Sequence, residues 1–205
     1  MRVYLALRHA QMTGRFSPGQ AFAVRALAQN FGTSVMPVRE ALRLLVAEQA
    51  LAVNTNRMII VPLISRERLA DLAQCRQMIE GSAARWAVRA GRVGLYDSLE
   101  KINDAMKAAA KKGNVQVVLE RNQQFHFTLY SAGGSAVIMP LIESLWLQAG
   151  PYLNSVRDKI LSTEILSSHD EILHAVKARD PEGTSAAIQA DIANAAALTL
   201  NVFTP

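Results

Sequence analysis

A single cysteine, Cys75, in 205 residues leaves nothing to pair with in an internal disulfide and too few thiols for a thiolate metal site. No apolar run approaches the roughly 20 residues that a membrane span needs. The first residues, MRVYLALRHAQ, lack the continuous apolar core of a secretory signal. Aromatics make up only 6% of a chain that is 50% hydrophobic, a balance that favours helices over sandwiches or barrels. The expectation is a cytoplasmic, mainly α protein of one large domain or two small ones.

Lysine is missing altogether from residues 1–64. That segment holds seven arginines (Arg2, Arg8, Arg15, Arg25, Arg39, Arg43 and Arg57) against two acids, Glu40 and Glu48, a balance of +5. Subtracting these from the chain's 22 basic and 17 acidic side chains leaves 15 of each, so the remainder is neutral. A basic segment joined to a neutral one suggests two jobs, the first of them directed at a polyanion. Chance scatter over a mildly basic surface is the plain alternative.

Hydrophobic periodicity and turn residues divide the chain further. Val3–Met12 and Val24–Phe31 read as short helices separated by GRFSPG, and Gly32-Thr33-Ser34 as a tight turn. Ser34 is placed to cap a third helix, with Pro37 in its first turn, where a missing N–H does no harm. Val38, Ala41, Leu42 and Leu45 form that helix's apolar stripe, and Arg39 and Arg43 lie beside it. LAVNTNRMIIVPL then reads as a two-stranded hairpin turning at Asn54–Arg57. From Ser65, an N-cap, only helical patterning follows: to about Ala90, then Leu95–Lys111, Val115–Ser131, Ala136–Asn154, Ile160–Ala178 and Pro181–Asn201. The fold expected is a winged helix-turn-helix over 1–64, followed by an all-α antiparallel bundle over 65–205.

A capped helix carrying early arginines, behind a glycine turn, suits the major groove of a duplex. There Arg39 and Arg43 reach phosphates or a guanine edge, and the helix N-terminus offers free N–H groups to a phosphate. In the bundle, Asn122 and His126 stand four apart on one helix face, and Asp191 follows His169 by 22 positions. By spacing alone these are a hydrogen-bonded core set or a metal site. His174, roughly 140° round an ideal helix from His169, stays outside the set. Arg76 is placed either to meet a carboxylate ligand or to pair with Glu80 within its helix. Tyr130 and Tyr152 read as pocket donors or packing residues, and Cys75 as a small core side chain.

The motifs Pro18-Gly19, Leu27-Ala28, Phe31-Gly32 and above all Pro37-Val38-Arg39-Glu40-Ala41-Leu42-Arg43 resemble the winged-helix module of the GntR transcription regulators. The resemblance implies DNA contacts by Arg25, Ser34 and Arg39. It is broken at Val35, where the family usually has arginine, and at Met58, where its wing usually has glycine. Residues from about 65 to 201 resemble the FCD domain of the FadR-like subgroup through Arg76-x-x-x-Glu80, Asn122-x-x-x-His126 and the segment from His169 to Asp180. That resemblance implies a divalent metal, such as zinc, nickel or manganese, held by Asn122, His126, His169 and Asp191. Asp191 stands where the family usually has a third histidine. It also implies a small carboxylate effector, met by Arg76.

The function expected is a ligand-responsive regulator, a repressor, acting as a homodimer on an inverted-repeat operator. Two alternatives stand beside it. One is a helical metalloenzyme using a two-histidine, one-carboxylate set. The other is a DNA-binding protein that takes no effector.

Overall fold

The computed structural model of the protein describes residues 1–161 and 163–201, without the side chains of Asp158, Ile160 and residues 163–166. Ser162, inside the helix expected over 160–178, and residues 202–205, at the end of the second expected domain, lie outside the described residues. Helices α1 (Arg2–Met12), α2 (Val24–Asn30) and α3 (Val35–Ala47) lead into strands β1 (Ala52–Val53) and β2 (Ile59–Ile60). The strands pair antiparallel in the register Ala52 to Ile60 and Val53 to Ile59, and Ala21 bridges to Ile60 on the other side. They are shorter than the β-branched runs that announce them.

The turn between α2 and α3 needs a left-handed residue, and Gly32 supplies it at φ 59°. The apolar stripe of α3 is fully realised: Val38, Ala41, Leu42 and Leu45 are all buried. Each of the larger three contributes about 1.5–3 kcal/mol by leaving water. Their burial fixes the rotation of α3 and turns Arg39 and Arg43 outward.

The bundle follows as α4 (Arg66–Ala90), α5 (Leu95–Lys111), α6 (Val115–Ala132), α7 (Ile138–Leu153), α8 (Arg157–Ile160), α9 (Thr163–Lys177) and α10 (Pro181–Leu200). The Ser65 hydroxyl accepts from the Arg68 N–H and the Asp180 carboxylate from the Gly183 N–H, so α4 and α10 start where a cap dictates. A single 3-10 turn over Asn154–Val156 joins α7 to α8. The long pairing of α4 with α10, and of α5 with α6, encloses the core. Cys75 is exposed on α4, contrary to the core position expected of it. An unpaired thiol at a polar helix position needs no apolar neighbours to be tolerated.

The two expected modules share one continuous apolar core, which runs from Val3 and Leu7 through to Ile188 and Ile192. The junction is a close helix crossing. Gly150 of α7 faces the end of α1 so tightly that a Cβ there would meet the Gln11 carbonyl oxygen at 2.4 Å and the Met12 Cα at 2.8 Å. Arg8 reaches Glu143 at 2.9 Å and Arg15 reaches Glu120 at 2.5 Å across the same junction. The Tyr152 hydroxyl donates to the Pro62 carbonyl at 3.1 Å and accepts from the Ile64 N–H at 2.7 Å, fastening α7 to the segment between the modules.

Candidate metal centre and nucleic-acid interface

The seven arginines of residues 1–64 divide by what they touch. Arg2 donates to the Phe31 carbonyl at 3.1 Å, Arg8 pairs with Glu48 and Glu143, and Arg15 with Glu120. Those three hold the fold together. Arg25, Arg39, Arg43 and Arg57 are exposed, and their guanidinium groups make no ion pair or hydrogen bond among the described residues. Arg39, Arg43 and Arg57 line one depression between α3 and the hairpin, together with Met36 and Met58. Four unpaired guanidinium groups on one module are positive charge without an internal use.

Ser34 takes the cap position of α3 in extended geometry, φ −74° and ψ 169°, but its hydroxyl accepts no bond from the helix. The expected side-chain cap is therefore absent, although Ser65 makes one on α4 at nearly the same backbone angles, φ −72° and ψ 165°. The exposed hydroxyl and the first N–H groups of α3 all remain available to an outside acceptor. Val35 begins α3 half-buried against the core, so the position usually basic in the resembled family is used for packing here. In the wing the left-handed residue is Arg57, φ 58°, rather than Met58. Asn54 holds that turn by accepting from the N–H groups of Asn56 and Met58 at 3.0 and 2.9 Å, so Met58 does not need glycine's freedom.

In the bundle, His126 of α6, His169 of α9 and Asp191 of α10 come together, their ligand atoms all within 4.8 Å of one another. The His126 and His169 Nε2 atoms lie 3.2 Å apart, and Asp191 Oδ2 is 3.3 Å from His126 Nε2. Two donors each bound at about 2.1 Å to one ion, at tetrahedral or octahedral angles, stand about 3.0–3.4 Å apart. These two separations fit a shared cation. Both histidines are buried and Asp191 nearly so. Asn122 lines the adjoining cavity with Arg76, Trp146, His126 and Asp191. His174 is exposed and takes no part.

A hydrogen-bond chain fixes how His126 presents itself. Glu80, with no exposed surface, accepts from Trp146 Nε1 at 2.9 Å, from Arg76 Nε at 2.6 Å and from the Tyr130 hydroxyl at 2.8 Å. Tyr130 has one proton, and it is committed to Glu80. Its oxygen, 3.0 Å from His126 Nδ1, must accept there. His126 therefore carries its hydrogen on Nδ1 and turns the Nε2 lone pair toward His169 and Asp191. A lone pair facing a carboxylate oxygen requires a positive charge between them, which a proton or a divalent cation supplies.

The remaining electrostatics agree. Burial pushes the His169 imidazole down to about 4, against the upward pull of the Asp191 carboxylate, so His169 is neutral and able to ligate. Its Nδ1 is buried without a hydrogen-bond partner among the described residues. Burial raises the Asp191 carboxyl, but the two imidazoles and the Arg76 guanidinium outweigh it and hold it below the usual carboxylate range. On α5, Asn103 and Lys107 both bind Asp170, at 2.9 and 2.6 Å, and so anchor the turn of α9 that carries His169.

Arg76 makes the ion pair within its helix that was one of its two readings. It pairs with Glu80 through Nε and, at 3.4 Å, Nη2, stacks 4.7 Å above the Trp146 ring, and still lines the cavity.

Residues 71–194 match the family described as the FCD domain, and residues 1–61 match that described as bacterial regulatory proteins, gntR family. The chain belongs to the GntR regulators that carry an FCD domain. It is similar to the HTH-type transcriptional regulator McbR of Escherichia coli K12, 28% identical over 86% of this chain and 81% of that one. It is also similar to the gluconate operon transcriptional repressor of Bacillus subtilis 168, at 24% over 88% and 76%. The solved structure of E. coli McbR/YncC superposes with a TM-score of 0.92 at 26% identity, covering 99% of this chain and 97% of that one. A GntR regulator from Rhodococcus sp. RHA1, at 23% identity, shares the fold with a TM-score of 0.82 over 99% and 98% of the two chains.

A GntR regulator binds DNA and controls transcription, which sets aside the metalloenzyme alternative. The FCD domain is its effector-binding part. Trp146 was not assigned from the sequence, Glu80 was read only as a partner for Arg76, and Tyr130 only as a pocket donor or packing residue, without their joint role at His126. Their signal lay in the spacing of His126 and Tyr130, four apart on one helix face, and in Glu80 four after Arg76. No helix among the described residues is long and apolar enough to cross a membrane.

Proposed function

We propose that this chain is a cytoplasmic, homodimeric repressor whose bundle senses a small carboxylate through a divalent metal. Arg25, Ser34, Arg39 and Arg43 contact an inverted-repeat operator, and Arg57 adds wing charge. The observation that carries the DNA assignment is the division of the arginines, three spent on the fold and four left unpaired on one module. Repression is supported by the similar gluconate operon repressor and by a second similar chain, the E. coli transcriptional repressor GlaR.

His126, His169 and Asp191 hold the metal, with Asn122 beside them and Arg76 placed to meet a carboxylate. Two imidazoles and a carboxylate suit zinc, nickel or manganese, and a bound ion supplies positive charge and an open position for a carboxylate oxygen. The assignment is supported by the donor spacing and by the inward lone pair of His126. Helix α7 carries Trp146 at the cavity, Gly150 against α1 and Tyr152 on the segment between the modules, so occupancy of the cavity reaches the DNA-binding part through α7. By linkage, an effector that releases DNA binds the DNA complex more weakly by the same factor. A second copy is seated on α4 and α7, two helices packed together whose Met78, Trp86 and Leu141 are 70%, 42% and 51% exposed.

Anisotropy titrations on duplexes from the gene's own upstream region test this reading. Selective binding that Arg39→Ala weakens and makes less selective supports it. Equal, weak binding to every duplex, indifferent to Arg39, contradicts it.

A further inference from the structure

The cavity beside the metal cluster has two unlike ends. Arg76, Asn122, His126, Trp146 and Asp191 form one. The other is walled by Met106, Val118, Leu119, Leu153, Val156 and Leu198, without a hydrogen-bonding side chain among them. Met106, Val118, Leu119 and Val156 belong to a separate buried apolar cluster, with Leu153 and Leu198 packed against it. At Met106, Val118 and Leu119, inside α5 and α6, the backbone is already engaged in helix hydrogen bonds and offers a ligand almost nothing.

Its size adds a second constraint. The cavity is about 50 Å³, and an adjoining one of about 30 Å³ shares Arg76, Leu153, Ile192 and Ala195 with it. A cavity of roughly 150 Å³ is what holds a benzene ring. The space here suits a chain of a few atoms rather than a ring or a six-carbon sugar acid.

Resting on the carboxylate-sensing reading above, we infer that the effector is a short monocarboxylate with an unsubstituted aliphatic tail. Its carboxylate faces Arg76 and the His126–Asp191 end, and its tail lies against Leu119, Leu153 and Val156. Hydroxyls along that tail would be buried without partners, at a cost of about tenfold in affinity or more for each. This sets the ligand chemistry apart from that of a polyhydroxylated acid, although a similar chain is named for a gluconate operon.

The test is a calorimetric comparison of butyrate with 2,3,4-trihydroxybutyrate on the zinc-loaded protein, followed by release of the bound DNA duplex. The two acids share the carboxylate and the chain length and differ only in hydroxyls. The proposal expects butyrate to bind at least tenfold more tightly and to release the duplex. It also expects Val156→Thr, a near-isosteric change at the apolar end, to narrow that ratio. Equal or tighter binding of the trihydroxy acid overturns the apolar-tail proposal and leaves the carboxylate sensor standing. Binding of neither acid at millimolar concentration overturns both, and the wild-type ratio is read whether or not the variant folds.

Discussion

The Tyr130 hydroxyl donates to Glu80 at 2.8 Å, and that bond decides which nitrogen of His126 carries the hydrogen. Glu80 is a helix α4 residue with no exposed surface, yet its effect is felt at an imidazole on α6 through one phenol. Burial of Tyr130, reinforced by the Glu80 carboxylate, keeps the phenol protonated well beyond the ordinary tyrosine range, so the relay keeps its direction at any physiological pH.

Tyr130→Phe removes the acceptor for His126 Nδ1–H while keeping the ring. Metal affinity is expected to fall about 10–100-fold, the usual effect of losing a group that orients a ligand. Nitrogen-15 NMR of the zinc-loaded protein should show the His126 Nδ1–H signal shifted, its phenol acceptor gone. An unchanged Nδ1 signal and affinity would contradict the relay.

The arginine division predicts unequal losses on the DNA side. Arg39→Ala should cost about 1–3 kcal/mol and blur selectivity, as loss of a base-edge contact does. Arg25→Ala should weaken all duplexes alike and reduce the log–log salt slope by about 0.9. Arg2→Ala, by contrast, removes a bond to the Phe31 carbonyl and should act on thermal stability more than on the salt slope. Anisotropy at several salt concentrations separates the three.

Gly150→Ala tests the junction between the modules. The new methyl would stand 2.4 Å from the Gln11 carbonyl oxygen and 2.8 Å from the Met12 Cα, both backbone atoms that cannot swing aside. A loss of about 1–3 kcal/mol is expected from this overpacking. Faster amide exchange in α1 should accompany it, together with a weakened response of DNA binding to anything that occupies the cavity.

The metal-free protein should be acid-sensitive through His169. Its imidazole is neutral in the fold down to about pH 4, against an ordinary value of 6.5, so the unfolded chain binds the extra proton first. The stability held by neutral His169 is complete above pH 6.5 and is lost as pH falls from there toward 4, by up to about 3 kcal/mol. His169→Asn should flatten thermal midpoints across that window.

Much of this was legible in the residues. Turn and cap residues such as Gly32, Ser65 and Asp180 sit at helix ends in the structure, and the α3 stripe is buried as its periodicity demands. PVREALR after a glycine turn marked α3 and the family to which the chain belongs. Other features had no local pattern to carry them. Ser34 stands at the cap position, but whether its hydroxyl turns inward is decided by rotamer and not by residue type. Cys75 carries no periodic signal that distinguishes core from surface. Spacing alone left His126, His169 and Asp191 undecided between a core set and a metal site, because they meet across three helices. Glu80 was read only as a partner for Arg76 within one helix, which hid its bonds to α6 and α7. Gly150 sits in an apolar helix where nothing marks the approach of α1.

The most direct test is a calorimetric titration of zinc or nickel into the metal-free protein, beside Asp191→Ala and His126→Ala. The account predicts one ion per chain in the wild type, its affinity reduced by orders of magnitude in both variants. Absence of binding, or an ion held equally well without Asp191 and His126, would contradict the metal site on which the sensing mechanism rests.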